Sequence, residues 1–142
     1  MFLPFPRYVV LEYGIDHPGE MDFLLSIVIP DIAIVTEIAP NHLEQFKTFE
    51  LYRAEKIKIT RDAKKVIVHN SQRQFIDREV LCYGLGAISD IDISHIRIDT
   101  NGTHAQINIA HKSYPIDFPA FGIFHIENIL PLYPIAEHFS IL

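Results

Sequence analysis

Three side chains in the first 60 residues could do chemistry together: Glu12, which closes the apolar run Tyr8-Val9-Val10-Leu11, His42 in the loop Pro40-Asn41-His42, and Lys56, fourteen positions later. A carboxylate and an imidazole that converge on one edge of a sheet can hold a divalent cation. Magnesium accepts such sparse ligation, with waters and phosphates completing its octahedron. Spacing alone also allows a plainer arrangement, in which Glu12 pairs with a surface lysine and His42 caps the helix that follows. Little else in the chain offers chemistry. The eight histidines are scattered, with no H-E-x-x-H and no pair at i, i+4. His95, His104, His111 and His138 therefore read as ordinary half-exposed side chains, and no zinc site is expected. There is no G-x-S-x-G, and the single cysteine, Cys82, sits in an apolar run where an inert buried thiol is the usual outcome. Nucleophilic catalysis has no sequence-level candidate.

The elements that must position these residues follow from periodicity. Tyr8 to Leu11 reads as a strand buried on both faces, which places Glu12 at a strand's C-terminal end. Glu20 to Ile29 has helical spacing and is closed by Pro30. Ile32 to Thr36 reads as a second buried strand, Thr48 opens the strongest helix, to about Arg61, and Val66 to Val68 reads as a third strand. Strand and helix alternating in this way predict a parallel sheet with helices on its faces and chemistry at the strands' C-terminal ends. After Gln74 the pattern changes to alternation over Val80–Tyr83, Ile91–Ile98, Thr103–Ile109 and Ser113–Phe118. With Asn101-Gly102 as a hairpin turn, that predicts a small antiparallel meander. Beyond Gly122 the chain turns helical again, but Pro131 and Pro134 cannot both lie in one helix interior. The expected class is thus α/β: a mostly parallel sheet flanked by helices, with a small antiparallel meander, in one domain spanning 1–142.

Composition excludes several functions. With 12 Lys+Arg against 18 Asp+Glu and a net charge of −6, no broad cationic surface is available for phosphate backbones, so no nucleic-acid partner is expected. The longest apolar stretch, Phe23 to Ile29, is far shorter than the roughly 20 residues of a spanning helix, so no membrane partner is expected either. The start MFLPFPRY lacks the order of a signal peptide, Cys82 cannot make an internal disulfide, and the expected location is the cytoplasm.

The stretches VVLEYGIDHPGEM, PDIAIVTEIAPNHLEQFKTFELYRAEKIKI and VIVHN resemble the central, ATP-binding domain of the Mur ligases, closest in pattern to the D-alanyl-D-alanine-adding branch. These enzymes add amino acids to the peptidoglycan precursor. The resemblance covers about Tyr8 to Leu142 and is most specific between Glu12 and Lys56. It implies magnesium ligation by Glu12 and His42, carbamylation of Lys56, and an adenine contact from Asn128. A carbamate turns the lysine cation into a carboxylate that can join the metal shell. Mg2+ and ATP are the cofactors so implied.

The chain also departs from that pattern. Phe124 and His125 stand where the family has His and Asn, Gln72 and Arg73 replace two Asp, Glu37 replaces an Asn, and Ile57-Lys58 replaces Gly-Glu. No P-loop, G-x-x-x-x-G-K-[ST], occurs in these 142 residues, although the family uses one to cradle the β- and γ-phosphates. Two functions follow as expectations: a fragment, or a split or degenerate form, of an ATP-dependent carboxylate–amine ligase, inactive alone, and a non-catalytic binding or scaffold module built on that fold. A P-loop-bearing partner chain or a second copy of this chain is the expected partner, because a missing central strand leaves a sheet edge open.

Overall fold

The computed structural model describes residues 6–40, 43–86 and 89–140. One six-stranded sheet runs through them in the order β1-β2-β3-β4-β5-β6, from β1 (Ile32–Val35) through β2 (Lys65–His69), β3 (Leu81–Tyr83), β4 (Ile91–Asp99) and β5 (Gly102–Ile109) to β6 (Lys112–Phe118). β1, β2 and β3 are parallel, with Ala33 opposite Val66 and Val68 opposite Cys82. β4, β5 and β6 are antiparallel, with β4 and β5 joined at the expected Asn101-Gly102 turn and β5 and β6 at Ala110-His111. β3 therefore belongs with the parallel strands, not with the meander. It meets β4 in parallel at one pair only, Tyr83 with Ile91, because the connection between them is too short to carry a crossover helix.

Alternation decides which face each side chain covers. Ala33, Val35, Val66 and Val68 point to one core, shared with Met21, Leu25, Phe46 and Tyr52 from α1 (Glu20–Ile27), α2 (Leu43–Phe46) and α3 (Phe49–Ile57). Ile67, Tyr83, Ile91, Ile93 and Ile107 point to the other, which is closed by Ile126 and Leu130 at α4 (Ile123–Ile129). α4 stops and α5 (Leu132–His138) restarts, with Pro131 just before the new helix and Pro134 in its first turn, where a missing N–H costs nothing. Pro115 lies in β6, at the sheet edge, where its missing donor is tolerated. Thr48 caps α3 as expected, its Oγ1 accepting from the Leu51 N–H at 3.3 Å.

The first expected strand is not formed. Tyr8 to Leu11 forms no regular element and makes no ladder, and Val10 is 97% exposed. Its apolar run matches a buried strand in composition, but a strand needs a neighbour on which to satisfy its backbone groups. Among the described residues none pairs with it, and β1 has no neighbour on its other side. Tyr8 packs on Phe139 beyond α5, with ring centroids 4.5 Å apart, and two residues past the segment the Tyr13 hydroxyl donates to the Val28 carbonyl beyond α1 at 2.8 Å.

Candidate functional site

At the C-terminal ends of β2 and β3 a polar cluster gathers beside a cleft. His69 closes β2 and caps the 3-10 turn Asn70–Phe75, its Nδ1 accepting the Ser71 N–H at 3.4 Å and lying 2.7 Å from Ser71 Oγ. Its Nε2 faces Glu127 Oε1 of α4 at 3.9 Å, and the Leu85 N–H donates to that same oxygen at 3.4 Å. Tyr83 meets the His69 ring edge-on with centroids 5.4 Å apart. Burial, with the negative charges of Glu127 and Glu37 adding to it, pushes the Tyr83 phenol far above its ordinary range, so it stays protonated. Asn70 Nδ2 donates to the Leu85 carbonyl at 2.7 Å and to Ser89 Oγ at 3.2 Å. Gly84 has φ +129°, and a Cβ there would come within 3.1 Å of both Asn70 Nδ2 and His69 Nε2, so only glycine lets these side chains approach. An open cleft of about 860 Å³ lies beside the cluster, lined among others by Asn70, Ser71, Arg73, Phe75 and Leu85.

The residues singled out from sequence are not gathered in this cluster. Glu12 is exposed on the unpaired segment instead of ending a strand, and makes no hydrogen bond or ion pair with a described residue. The surface-lysine alternative for Glu12 is therefore not seen among the described residues either. His42 lies outside the described residues. Lys56 is half-buried on α3 with Nζ 5.3 Å from the centroid of the Tyr52 ring. Asn128 is exposed on α4, directly after Glu127. Among the described residues no three His, Cys, Asp or Glu side chains are grouped to hold a metal ion. The described donors thus do not by themselves make a magnesium shell.

Two carboxylate arrangements were not legible in the sequence. Glu55, next to Lys56, is buried and accepts from the backbone N–H groups of Gly19 at 2.9 Å and Met21 at 3.2 Å, so α3 caps the N-terminus of α1 from a distance of 36 residues. Lys58 bridges Glu55 at 2.8 Å and Asp22 at 2.6 Å, and its ammonium pKa is raised mainly by the Asp22 bond. His104, expected to be an ordinary surface histidine, bonds Asp117 of β6 at 2.5 Å and Asp99 of β4 at 3.1 Å. Cys82, by contrast, is buried as expected, and burial pushes its thiol pKa up.

Residues 5–132 match the model of the Mur ligase middle domain. The chain belongs to the Mur ligase family. It is 25% identical over 138 residues to the UDP-N-acetylmuramoyl-tripeptide–D-alanyl-D-alanine ligase of Bacillus subtilis, an alignment that covers 93% of this chain and 30% of that enzyme. It is 25% identical to the UDP-N-acetylmuramoyl-L-alanyl-D-glutamate–2,6-diaminopimelate ligase of Caldanaerobacter subterraneus, over 95% of this chain and 29% of that one. Among solved structures, MurF from Acinetobacter baumannii superposes with a TM-score of 0.75 at 20% identity, over 89% of this chain and 30% of that one, which shows a shared fold. The chain thus spans about a third of the length of the Mur ligases it matches. No helix among the described residues is long and apolar enough to cross a membrane.

Proposed function

We propose that this chain is a fragment, or a split or degenerate form, of an ATP-dependent peptidoglycan-precursor amino-acid ligase, and that it is inactive alone. The parent reaction would form an acyl phosphate on a carboxylate and let an amine displace the phosphate. The observation that carries the reading is the combination of a family match over 5–132 with a sequence that contains no P-loop. In this class of chemistry the protein mainly positions the phosphates and stabilises their charge, so losing the amide cradle and its lysine removes most of the work. In this reading Glu12, His42 and a carbamylated Lys56 are what remains of the magnesium site, and Asn128 is what remains of the adenine contact. When bound, magnesium would neutralise phosphate and carboxylate oxygens.

The open edge of β1 supports a partner in this reading. A P-loop-bearing chain could extend the sheet there, and a second copy of this chain is the other candidate. A non-catalytic module on the same fold is the second reading, favoured by Gln72, Arg73, Phe124 and His125 at positions where the family pattern has other chemistry. Calorimetric titration with magnesium-ATP tests the proposal. No tight binding by the chain alone is the expected result, and binding that appears only with a P-loop-bearing polypeptide would favour the split ligase over the module. Micromolar binding by the chain alone, abolished by Glu12→Ala, would overturn the reading.

A further inference from the structure

We propose that Ser71, His69 and Glu127 form a nucleophile, base and carboxylate relay that hydrolyses small carboxylic esters in the cleft beside the 3-10 turn. The protons on the His69 imidazole set the roles. The Ser71 backbone N–H can only donate, and it points at His69 Nδ1, so Nδ1 is the unprotonated nitrogen. The ring proton then sits on Nε2, the nitrogen that faces Glu127 Oε1 at 3.9 Å. With Nδ1 accepting, the 2.7 Å contact to Ser71 Oγ must be the serine hydroxyl donating to the imidazole. A hydroxyl bonded to a basic nitrogen, with a carboxylate 3.9 Å from the far side of the ring to stabilise its cationic form, is the arrangement that activates a serine.

Burial is graded to match. The His69 and Glu127 side chains are 13% and 22% exposed, whereas Ser71 is exposed and lines the cleft. The Leu85 N–H fixes the carboxylate, and the close approach at Gly84 leaves room for the ring. Arg73 lines the same cleft and bonds only the Ile76 carbonyl among the described residues, so its remaining donors are free to face developing negative charge. Gln72 Nε2 donates to Ser71 Oγ at 2.9 Å and so holds the hydroxyl oxygen on its lone-pair side.

The chemistry balances with water as the only co-reactant. Ser71 Oγ bonds to the ester carbonyl carbon as its proton passes to Nδ1, and the imidazolium is stabilised by Glu127. The C–O bond to the leaving alcohol breaks, and the alkoxide takes the proton from Nδ1. Water then attacks the acyl-serine with Nδ1 again accepting a proton, which returns to Ser71 Oγ as the carboxylic acid leaves. Neither ATP nor magnesium takes part, so the proposal stands apart from the ligase reading.

The test uses the whole chain, an alkyl fluorophosphonate probe and p-nitrophenyl acetate. The expected result is one phosphonyl adduct mapped by peptide mass spectrometry to Ser71, absent in Ser71→Ala, and ester turnover above the Ser71→Ala background. Glu127→Gln should slow adduct formation at least tenfold. If that variant fails to fold by circular dichroism, His69→Asn is the replacement, since its amide oxygen can still accept the Ser71 N–H. No adduct on Ser71, equal turnover by Ser71→Ala, or undiminished labelling in the folded Glu127→Gln or His69→Asn variant would overturn the proposal and leave His69 as a helix cap only.

Discussion

Replacing Glu55 by alanine tests how the two helices on the first face of the sheet are tied together. The carboxylate is buried and accepts two backbone N–H groups at the start of α1, a charge-assisted bond of about 1.5–3 kcal/mol each in favourable cases. The Gly19 amide is only part-buried and can turn to water, so its loss costs little. The Met21 amide is buried, and without an acceptor it carries a desolvation penalty of about 1–3 kcal/mol. Lys58 keeps Asp22 as a partner, so its charge is not stranded. With the void left by the side chain, Glu55→Ala should destabilise the fold by about 3 kcal/mol, or lower Tm by roughly 10 °C for a chain of this size. Glu55→Gln keeps an oxygen for both amides but loses the charge assistance of those bonds and the pairing with Lys58, so it should cost less, about 1–2 kcal/mol. Urea unfolding followed by circular dichroism measures both at unchanged m-value. A Glu55→Ala loss below about 0.5 kcal/mol would refute the capping role, since that is the range of a surface substitution. Equal costs for the two variants would show that the charge, and not the amides, is what matters.

Three further outcomes are expected. Asp117, then Asp99, raises the His104 pKa above its ordinary value, so this stitch across β4, β5 and β6 is at full strength below about pH 6.5 and is lost as pH rises through the folded value. Asp99 is shifted down, chiefly by the Asn101 N–H and then by His104, so its share is lost instead as pH falls. The urea midpoint of wild type over His104→Gln should therefore be greatest in mildly acid solution and should shrink above neutrality; a pH-independent difference would contradict the bonding. Gly102→Ala would place a Cβ 2.1 Å from the Phe118 carbonyl oxygen at φ +134°, and should cost about 2–3 kcal/mol in the same assay. Val10→Lys should leave stability within about 0.5 kcal/mol, because the side chain is in water; if the chain self-associates through β1 and its flanking apolar segment, light scattering across concentration should also show weaker association in this variant.

Much of the architecture was written in local pattern. The apolar run Val66 to Val68, the alternation of Thr103 to Ile109, the Thr48 cap, the Asn101-Gly102 turn and the break between α4 and α5 at Pro131 each act through near neighbours, and each appears where periodicity and turn chemistry place it. The same patterns could not say whether Tyr8 to Leu11 has a strand to pair with, since an apolar run fixes what a segment prefers to bury but not whether a neighbour is there to receive its N–H and C=O groups. The polar groupings depended on the tertiary structure altogether. Glu55 meets Gly19 across 36 residues, His104 meets Asp117 across 13, and His69 meets Glu127 across 58, from the end of a strand to a helix on the opposite face from α3. Side chains so far apart in sequence leave no spacing signal; they come together only because the sheet sets the distance and direction at which its helices and strand ends face one another.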